Sequence, residues 1–236
     1  MDGGSSAASE MNWFTGFWKS SVGGKVTMAV TGVLLFLFLI AHLLGNLQLL
    51  MGREAINHYA EFLHSKPVLV WIARIVLLAV FALHVVTSIR LSLENRRARP
   101  VAYECEETVE ATWASRSMLL TGLTTGAFLI YHLLHFTIGG VHRGYFALKE
   151  QGPGGMDVYS MVTESFRNPF IALAYISFMV LLFFHLSHGI QSFVQTLGFH
   201  RARCTRIVKG CSFAFAAAIA GGNIFLAVAC LIGIVS

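Results

Sequence analysis

Histidines are the residues of this chain with the clearest potential for chemistry. The 236 residues include ten of them, and six fall inside long apolar stretches: His42, His84, His132, His135, His185 and His188. A neutral imidazole can bind a metal, carry a proton or hydrogen-bond between helices. Because an imidazole in the interior of a membrane is unfavourable, histidines in membrane-spanning helices are functional candidates by default.

The apolar stretches that carry these histidines have the length of membrane-spanning helices, which need roughly 20 mostly apolar residues. Spans are predicted at about residues 25–50, 67–93, 115–140, 168–196 and 209–235. No Asp or Glu lies inside any span, and Arg74 is the only Lys or Arg that is not within about four residues of the end of a span. We therefore predict an all-α membrane protein with one five-helix transmembrane domain over residues 11–236. Residues 1–10, rich in Gly, Ser and Ala, are predicted to be disordered.

The composition points to the same class. The chain is 56% hydrophobic and 12% charged, with a mean hydropathy of +0.67, whereas soluble domains are about 25% charged. A soluble globular enzyme is thereby excluded. The net charge of +5 is held in blocks between apolar runs, so no nucleic-acid partner is predicted. The four cysteines form no Cys-x-x-Cys pair, which argues against a zinc ribbon or a covalently attached haem.

The distribution of positive charge predicts the orientation in the membrane. With the N-terminus in the cytoplasm, eleven Lys and Arg residues fall on the inner side and five on the outer side. The positive-inside rule favours this arrangement, and five spans then place the C-terminus outside. The aromatic segment Met11–Ser20 suits a short helix in the inner interface. That helix is either an aromatic belt or a docking surface.

Four of the histidines repeat at one helical depth. His42, His84, His132 and His185 each lie 17 residues after the expected start of their span, which is roughly 25 Å along the helix. Because successive helices run in opposite directions, the four sort into two levels about 11 Å apart. His42 and His132 are predicted together toward the outer side, and His84 and His185 together toward the inner side.

Two pairs of imidazoles at two depths fit two haems b, each clamped between facing helices by two axial histidines. We therefore predict a five-helix bundle that encloses two haems b and passes electrons between them. A histidine-lined metal transporter is the alternative from a different class. A cation pathway normally includes acidic residues within the membrane, and none lies in these spans.

An internal repeat selects one member of the first His-x-x-His pair. Thr31 precedes His42 by 11 residues, and Thr121 precedes His132 by 11 residues. His132 is therefore the counterpart of His42, and His135 becomes a haem-pocket candidate.

A weaker repeat relates the second and fourth spans. His84 is followed five residues later by Ile89, and His185 is followed at the same offset by Ile190. This favours His185 as the ligand and leaves His188 as a pocket candidate.

Small and cationic residues are candidates for the rest of the cofactor pocket. Gly32 and Gly122 lie near the predicted inner level, where a missing side chain allows either a macrocycle or a neighbouring helix to approach the backbone. Haem propionates are anionic and need polar or cationic partners. The candidates are Ser88, Arg90, Ser115 and Arg116 at the inner end, and Arg74 toward the outer end.

Taken together, these residues resemble the single-chain, five-helix, di-haem cytochrome b anchor subunit of bacterial succinate dehydrogenase/fumarate reductase. The resemblance covers about Trp18 to Val235. It rests on Met28-Ala29-Val30-Thr31-Gly32, Ala41-His42-Leu43-Leu44-Gly45-Asn46-Leu47, Gly52, Asn57-His58-Tyr59-Ala60, His84, Thr121-Gly122, His132 and His185-Leu186-Ser187-His188-Gly189.

The resemblance implies a function and partners. A flavoprotein and an iron-sulfur subunit would dock on the cytoplasmic face of a bacterial inner membrane, and this chain would pass electrons between them and a membrane quinone, menaquinone or ubiquinone. It implies that His84 and His185 hold the haem nearest the iron-sulfur subunit and that His42 and His132 hold the distal haem. Some relatives use an acid near the distal quinone site in the loop after the first span. The candidates in this chain are His58, Glu61 and His64.

Chemistry on succinate or fumarate is not expected on this chain, because it carries no flavin motif and no soluble domain. Within electron transfer, the alternative is the cytochrome b subunit of another oxidoreductase, such as a hydrogenase or a formate dehydrogenase.

Overall fold

The computed structural model describes residues 16–18, 20–98, 116–152, 155–198 and 202–236, with side chains from residue 205 in the last range. These residues form helices and loops and no strand. Five helical segments are long and apolar enough to cross a membrane. The prediction of an all-α chain with five spans is confirmed at this level. Residues 1–10, most of Met11–Ser20 and Ser115 lie outside the described residues.

The helices, in chain order, are α1 (Ser21–Asn46), α2 (Arg53–His64), α3 (Pro67–Arg97), α4 (Met118–His132), α5 (Arg143–Leu148), α6 (Val158–Arg167), α7 (Pro169–Thr196) and α8 (Ala202–Leu231). The five of spanning length belong to α1, α3, α4, α7 and α8. A 3-10 turn, Leu47–Met51, continues α1, and a π-helical segment, Leu133–Ile138, continues α4.

The ends of the long helices follow from local sequence. Ser20 caps α1, because its hydroxyl accepts a 2.9 Å hydrogen bond from the amide of Gly23. Asn168 caps α7 by accepting a 3.0 Å hydrogen bond from the Phe170 amide, with Pro169 in the first helical position. Proline suits that position because its fixed φ is helical and the amide it lacks would have no helical partner.

Four of the spanning helices form a closed ring. Helix α1 packs on α3, α3 on α4, α4 on α7, and α7 on α1. In the described part of the chain the two diagonal pairs, α1 with α4 and α3 with α7, do not pack closely. The backbones of opposite helices therefore do not meet, and side chains occupy the space between them.

Helix α8 lies outside this ring against α7 and α1. Its buried face is rich in alanine, including Ala216, Ala220 and Ala227, and small residues let helix backbones approach closely in membranes. A Cβ added at Gly222 would lie 3.0 Å from the Leu43 side chain of α1. These contacts pack α8 closely against the ring.

Three short helices, α2, α5 and α6, cover one end of the ring, which we call the capped end. Arg53 at the start of α2 forms an ion pair with Asp157 and also donates a 2.7 Å hydrogen bond to the Ser160 hydroxyl. The Asn57 amide nitrogen donates to Asp157 at 3.1 Å, and its oxygen accepts from the Tyr159 amide at 3.0 Å. These bonds fasten α2 to α6.

The capped end differs most from the sequence prediction. Residues 53–64 form helix α2, and no helix is predicted between the first two spans from the sequence. The third span was predicted to run to residue 140, but regular α-helix stops at His132 and the π-helical segment follows. Gly139, with φ +71°, ends that segment in the left-handed conformation, which glycine adopts without a steric penalty.

Candidate functional site

Each helix of the ring carries one of the four repeated histidines: His42 on α1, His84 on α3, His132 on α4 and His185 on α7. They fall on the two diagonals of the ring, one pair on each. The ring centroids of His42 and His132 are 5.8 Å apart and their planes are nearly perpendicular, at 89°. His84 and His185 lie on the helices of the other diagonal, each against a threonine of an adjacent helix.

A threonine on a neighbouring helix fixes the tautomer of His84. The Thr31 hydroxyl lies 2.9 Å from Nδ1 of His84 and donates its proton to the Thr27 carbonyl at 2.7 Å. Because a hydroxyl has only one proton, Nδ1 of His84 must be the donor in the first contact. In the neutral ring, Nε2 of His84 then carries a free lone pair, which is the form that binds a metal.

His185 on α7 has an equivalent environment, which is provided by the neighbouring helix α4. The Thr121 hydroxyl donates to the Ser117 carbonyl at 3.0 Å and lies 3.4 Å from Nδ1 of His185. The Met118 carbonyl, 3.2 Å away, is a second acceptor for the same hydroxyl. With the hydroxyl proton on a carbonyl, Nδ1 of His185 is the donor in its contact with Thr121, which leaves its other nitrogen available.

The glycines that follow these threonines make room for the same two imidazoles. A Cβ added at Gly32 would lie 3.5 Å from Cε1 of His84, and one added at Gly122 would lie 3.0 Å from Cε1 of His185. From the sequence, a macrocycle or a neighbouring helix is expected at these positions. In this structure an imidazole ring fills the space, so each Thr-Gly step supports a histidine of the next helix by a hydrogen bond and a close contact.

His135 has a different environment from the four paired histidines. It is buried, with Nδ1 3.0 Å from the Tyr175 hydroxyl and Nε2 3.2 Å from the Ser165 hydroxyl. Both ring nitrogens are thus engaged within the protein. His135 ties the π-helical segment to α7 and α6.

His188 is half-buried on α7, three residues beyond His185. The contacts with Thr121 and Gly122 fall on His185 and not on His188. The geometry thus favours His185 as the partner of His84, in agreement with the weaker of the two sequence repeats.

Arg90, a cation predicted at the inner end, has unused hydrogen-bonding capacity. Its Nη1 donates to the Trp18 carbonyl at 2.6 Å, and its Nε lies 3.4 Å from the Glu94 carboxylate. Within the part of the chain that the structure describes, the buried Nε and Nη2 have no hydrogen-bond partner. A buried donor of this kind is unfavourable unless an acceptor reaches it, and a carboxylate of a bound cofactor has the right charge.

The other polar candidates make fewer contacts with the rest of the protein. Ser88 is half-buried and Arg116 is exposed. Arg74 is also exposed, with its guanidinium 5.1 Å from the ring centroid of Trp71. His58, Glu61 and His64 all lie exposed on α2. The structure does not bring these three quinone-site candidates into contact with the paired histidines.

The paired histidines fit a haem better than a bare metal ion. Haem iron takes two axial ligands from the protein, and two pairs are present. Metal–imidazole bonds are roughly 2 Å long, as in zinc sites, so one iron between two rings is compatible with the 5.8 Å centroid separation of His42 and His132. In the part of the chain that is described, no group of three or more His, Cys, Asp or Glu residues could hold a metal ion.

Three residues that contact the paired histidines are not among the site residues predicted from the sequence: Thr31, Thr121 and Tyr175. Tyr175 on α7 is buried, and its hydroxyl lies 3.5 Å from Nδ1 of His132. Its depth is a partial signal, because Tyr175 lies about as far from the outer end of its predicted span as His132 does from the outer end of its own. A tyrosine in an apolar helix is a common packing residue, so depth alone does not assign it to the site.

Comparison with known proteins gives no match: no family model, no curated protein and no solved structure matches this chain.

Proposed function

We propose that this chain is a membrane-bound electron-transfer subunit that holds two haems b. One observation carries the proposal: each of the four ring helices supplies one histidine, His42 and His132 meet across one diagonal, and His84 and His185 lie on the helices of the other. Helix bundles commonly bind flat cofactors between facing helices in this way.

In this proposal His42 and His132 hold one haem, and His84 and His185 hold the other. When bound, haem iron supplies one-electron redox chemistry by cycling between its ferric and ferrous forms. The chain keeps each ligand neutral and oriented. Thr31 and Thr121 accept the Nδ1 protons of His84 and His185, and this outer hydrogen bond raises the basicity of the nitrogen that binds iron.

The remaining residues set the surroundings of the cofactors. A cofactor between the ring helices would be surrounded by apolar side chains, where a charge is more sensitive to nearby dipoles than it is in water. Arg90, with its buried unpartnered Nη2, would hold a propionate of the haem bound by His84 and His185. Arg90 follows His84 by six residues on α3, so the two groups lie at neighbouring levels of one helix.

The sequence resemblance supports a more specific assignment. We infer that the chain anchors a succinate:quinone oxidoreductase and passes electrons between an iron-sulfur subunit and a membrane quinone, menaquinone or ubiquinone. The flavoprotein and iron-sulfur subunits would dock at the end opposite the capped end. The N-terminus would lie in the cytoplasm and the C-terminus outside, in a bacterial inner membrane, as the positive-inside rule favours.

Two alternatives share part of this support. The cytochrome b subunit of a hydrogenase or formate dehydrogenase would use paired histidines in the same way. A histidine-lined metal transporter is less well supported, because a cation pathway normally includes acidic residues within the membrane and none lies in the spans predicted from the sequence. Neither alternative accounts for the whole resemblance from Trp18 to Val235.

Copurification decides between the complexes. The full chain, tagged and isolated from its native membranes, is expected to bring with it a flavin-containing subunit, an iron-sulfur subunit and succinate:quinone reductase activity. His84→Ala should lower that activity strongly, and Ser177→Ala, at an exposed position of α7, should retain it. Copurification with a nickel-containing or a molybdenum- or tungsten-containing subunit would reject the succinate assignment in favour of the hydrogenase or formate dehydrogenase alternative.

A further inference from the structure

A chain of hydrogen bonds runs from His132 through α7 to α6 at the capped end. The Tyr175 hydroxyl lies 3.5 Å from Nδ1 of His132 and 3.0 Å from Nδ1 of His135. Nε2 of His135 lies 3.2 Å from the Ser165 hydroxyl, which donates to the Met161 carbonyl at 2.7 Å. This series of hydrogen bonds thus begins at an imidazole of one histidine pair and ends at a backbone carbonyl.

The number of protons on each group gives the direction of each hydrogen bond in the series. Ser165 uses its single proton on the Met161 carbonyl, so its oxygen accepts from Nε2 of His135. A neutral imidazole with a proton on Nε2 has a lone pair on Nδ1, which therefore accepts the proton of Tyr175. The Tyr175 oxygen is left as an acceptor, and its contact with His132 is a hydrogen bond donated by Nδ1 of His132.

Close packing of the surrounding side chains keeps this series of hydrogen bonds from rearranging. Tyr175 and His135 are both buried, and His135 is only 1% exposed. The His135 ring stacks on Phe136 with centroids 3.9 Å apart, and the Tyr175 ring meets Phe128 and Phe166 edge-on at 5.1 and 5.0 Å. Water cannot easily replace a missing partner in such surroundings, so the orientation of Tyr175 depends on the two groups behind it.

We propose that Tyr175 is a positioning residue for His132, and that His135 and Ser165 hold Tyr175 in place. The inference rests on the proposed function, because it concerns His132 as a haem ligand. Tyr175 supports His132 in the same way that Thr31 supports His84. It accepts the Nδ1 proton, keeps Nε2 free for iron and increases the electron donation of the ring.

The test measures haem content and the two haem midpoint potentials of the purified full chain. The variants are Tyr175→Phe and Ser165→Ala, and the matched control is Tyr131→Phe, whose hydroxyl lies 3.0 Å from Nε2 of His142. The spectrum lost in His42→Ala identifies the haem held by His42 and His132. The low-spin electron paramagnetic resonance signal of each haem reports the orientation of its axial rings.

In Tyr175→Phe the haem held by His132 is expected to have a more positive midpoint potential, because a less basic imidazole stabilises the ferric form less well. Its binding should weaken by about 10-fold to 100-fold, as is typical when an outer hydrogen bond to a metal ligand is lost. Ser165→Ala should shift the same haem in the same direction by a smaller amount. The second haem should keep its potential in both variants, and Tyr131→Phe should leave both haems unchanged.

Three results would overturn the inference: unchanged potentials and signals in both variants, equal shifts of both haems, or an equal shift in Tyr131→Phe. If Tyr175→Phe loses the haem or fails to fold, Ser165→Ala decides by the same criteria, since it acts from two hydrogen bonds away. A wild-type chain that contains no haem would instead reject the proposed function, and the inference with it. That outcome is seen before any variant is made, so the two failures are distinguishable.

Discussion

The hydroxyl of Thr31 on α1 lies 2.9 Å from Nδ1 of His84 on the neighbouring helix α3. The sequence repeat links Thr31 to His42, eleven residues further along its own helix, but its structural partner is a histidine of the other pair. Thr121 stands in the same relation to His185, at 3.4 Å. The first and third spanning helices therefore each carry one histidine of the His42/His132 pair and support one histidine of the other.

Removing the Thr121 hydroxyl should affect one haem only. In Thr121→Val the shape is conserved, but Nδ1 of His185 loses its acceptor. We expect the haem held by His84 and His185 to bind about 10-fold more weakly and to have a more positive midpoint potential. Redox titration of the purified chain measures this.

Thr124→Val is the matched control in the same helix. The Thr124 hydroxyl donates to the Leu120 carbonyl at 2.8 Å on the exposed side of α4, so both haems should keep their wild-type potentials. Equal shifts in the two variants would mean that the hydroxyl of Thr121 has no specific role.

Two glycines of α4 should respond in opposite ways to alanine. At Gly122 the new Cβ would lie 3.0 Å from Cε1 of His185, closer than an ordinary contact, so Gly122→Ala should displace the imidazole and reduce haem content. At Gly126 the new Cβ would lie 3.6 Å from Cζ of Phe81, which is ordinary contact. Gly126→Ala should raise the free energy of unfolding by about 0.5–1 kcal/mol through helix propensity.

Haem content and thermal unfolding of the two variants in detergent check this pair. If Gly122→Ala keeps full haem content and is stabilised like Gly126→Ala, the close approach of His185 to α4 is not required.

The spans and the depth of the histidines could be predicted because they depend on hydrophobicity and helical rise alone. The positions of His42 and His132 on antiparallel helices place the two rings at one level before any packing is known. The roles of Thr31 and Tyr175 could not be predicted in this way. They depend on how the helices are rotated about their axes, which is decided by packing between neighbours.

The capped end was the least predictable part. Helix α2 is held by Arg53 and Asn57, whose partner Asp157 is about 100 residues away in the chain. The π-helical segment after His132 is likewise stabilised from outside, because His135 within it bonds Tyr175 and Ser165. Long-range side-chain contacts of this kind have no signature in local sequence.

Asp157 should make the stability of the capped end depend on pH. Burial by itself raises the pKa of Asp157, but hydrogen bonds from Ser160 and Asn57 and the Arg53 charge outweigh it and hold the pKa below its ordinary value of 3.8. A carboxyl group whose pKa is lowered in the folded state contributes its full stabilisation of the fold at pH values above its ordinary pKa. That contribution is lost as the pH falls from about 3.8 through the lowered pKa.

Hydrogen exchange of α6 over this pH range tests the prediction. Protection should fall with pH in the wild type, and Asp157→Asn should reduce protection near neutral pH and flatten the pH dependence. Glu164→Gln is the control, because Glu164 pairs with Arg167 at an exposed position, where an ion pair contributes only about 0.5 kcal/mol. A steep pH dependence that persists in Asp157→Asn would assign it to another group.

Pairing of the histidines across the ring is the central claim, and haem stoichiometry combined with reduced-minus-oxidised spectra of single variants tests it most directly. The wild-type chain should contain two haems b. His42→Ala and His132→Ala should lose the same haem, His84→Ala and His185→Ala should lose the other, and His188→Ala should keep both. A chain without haem, or loss of the same haem in His42→Ala and His84→Ala, would contradict the account.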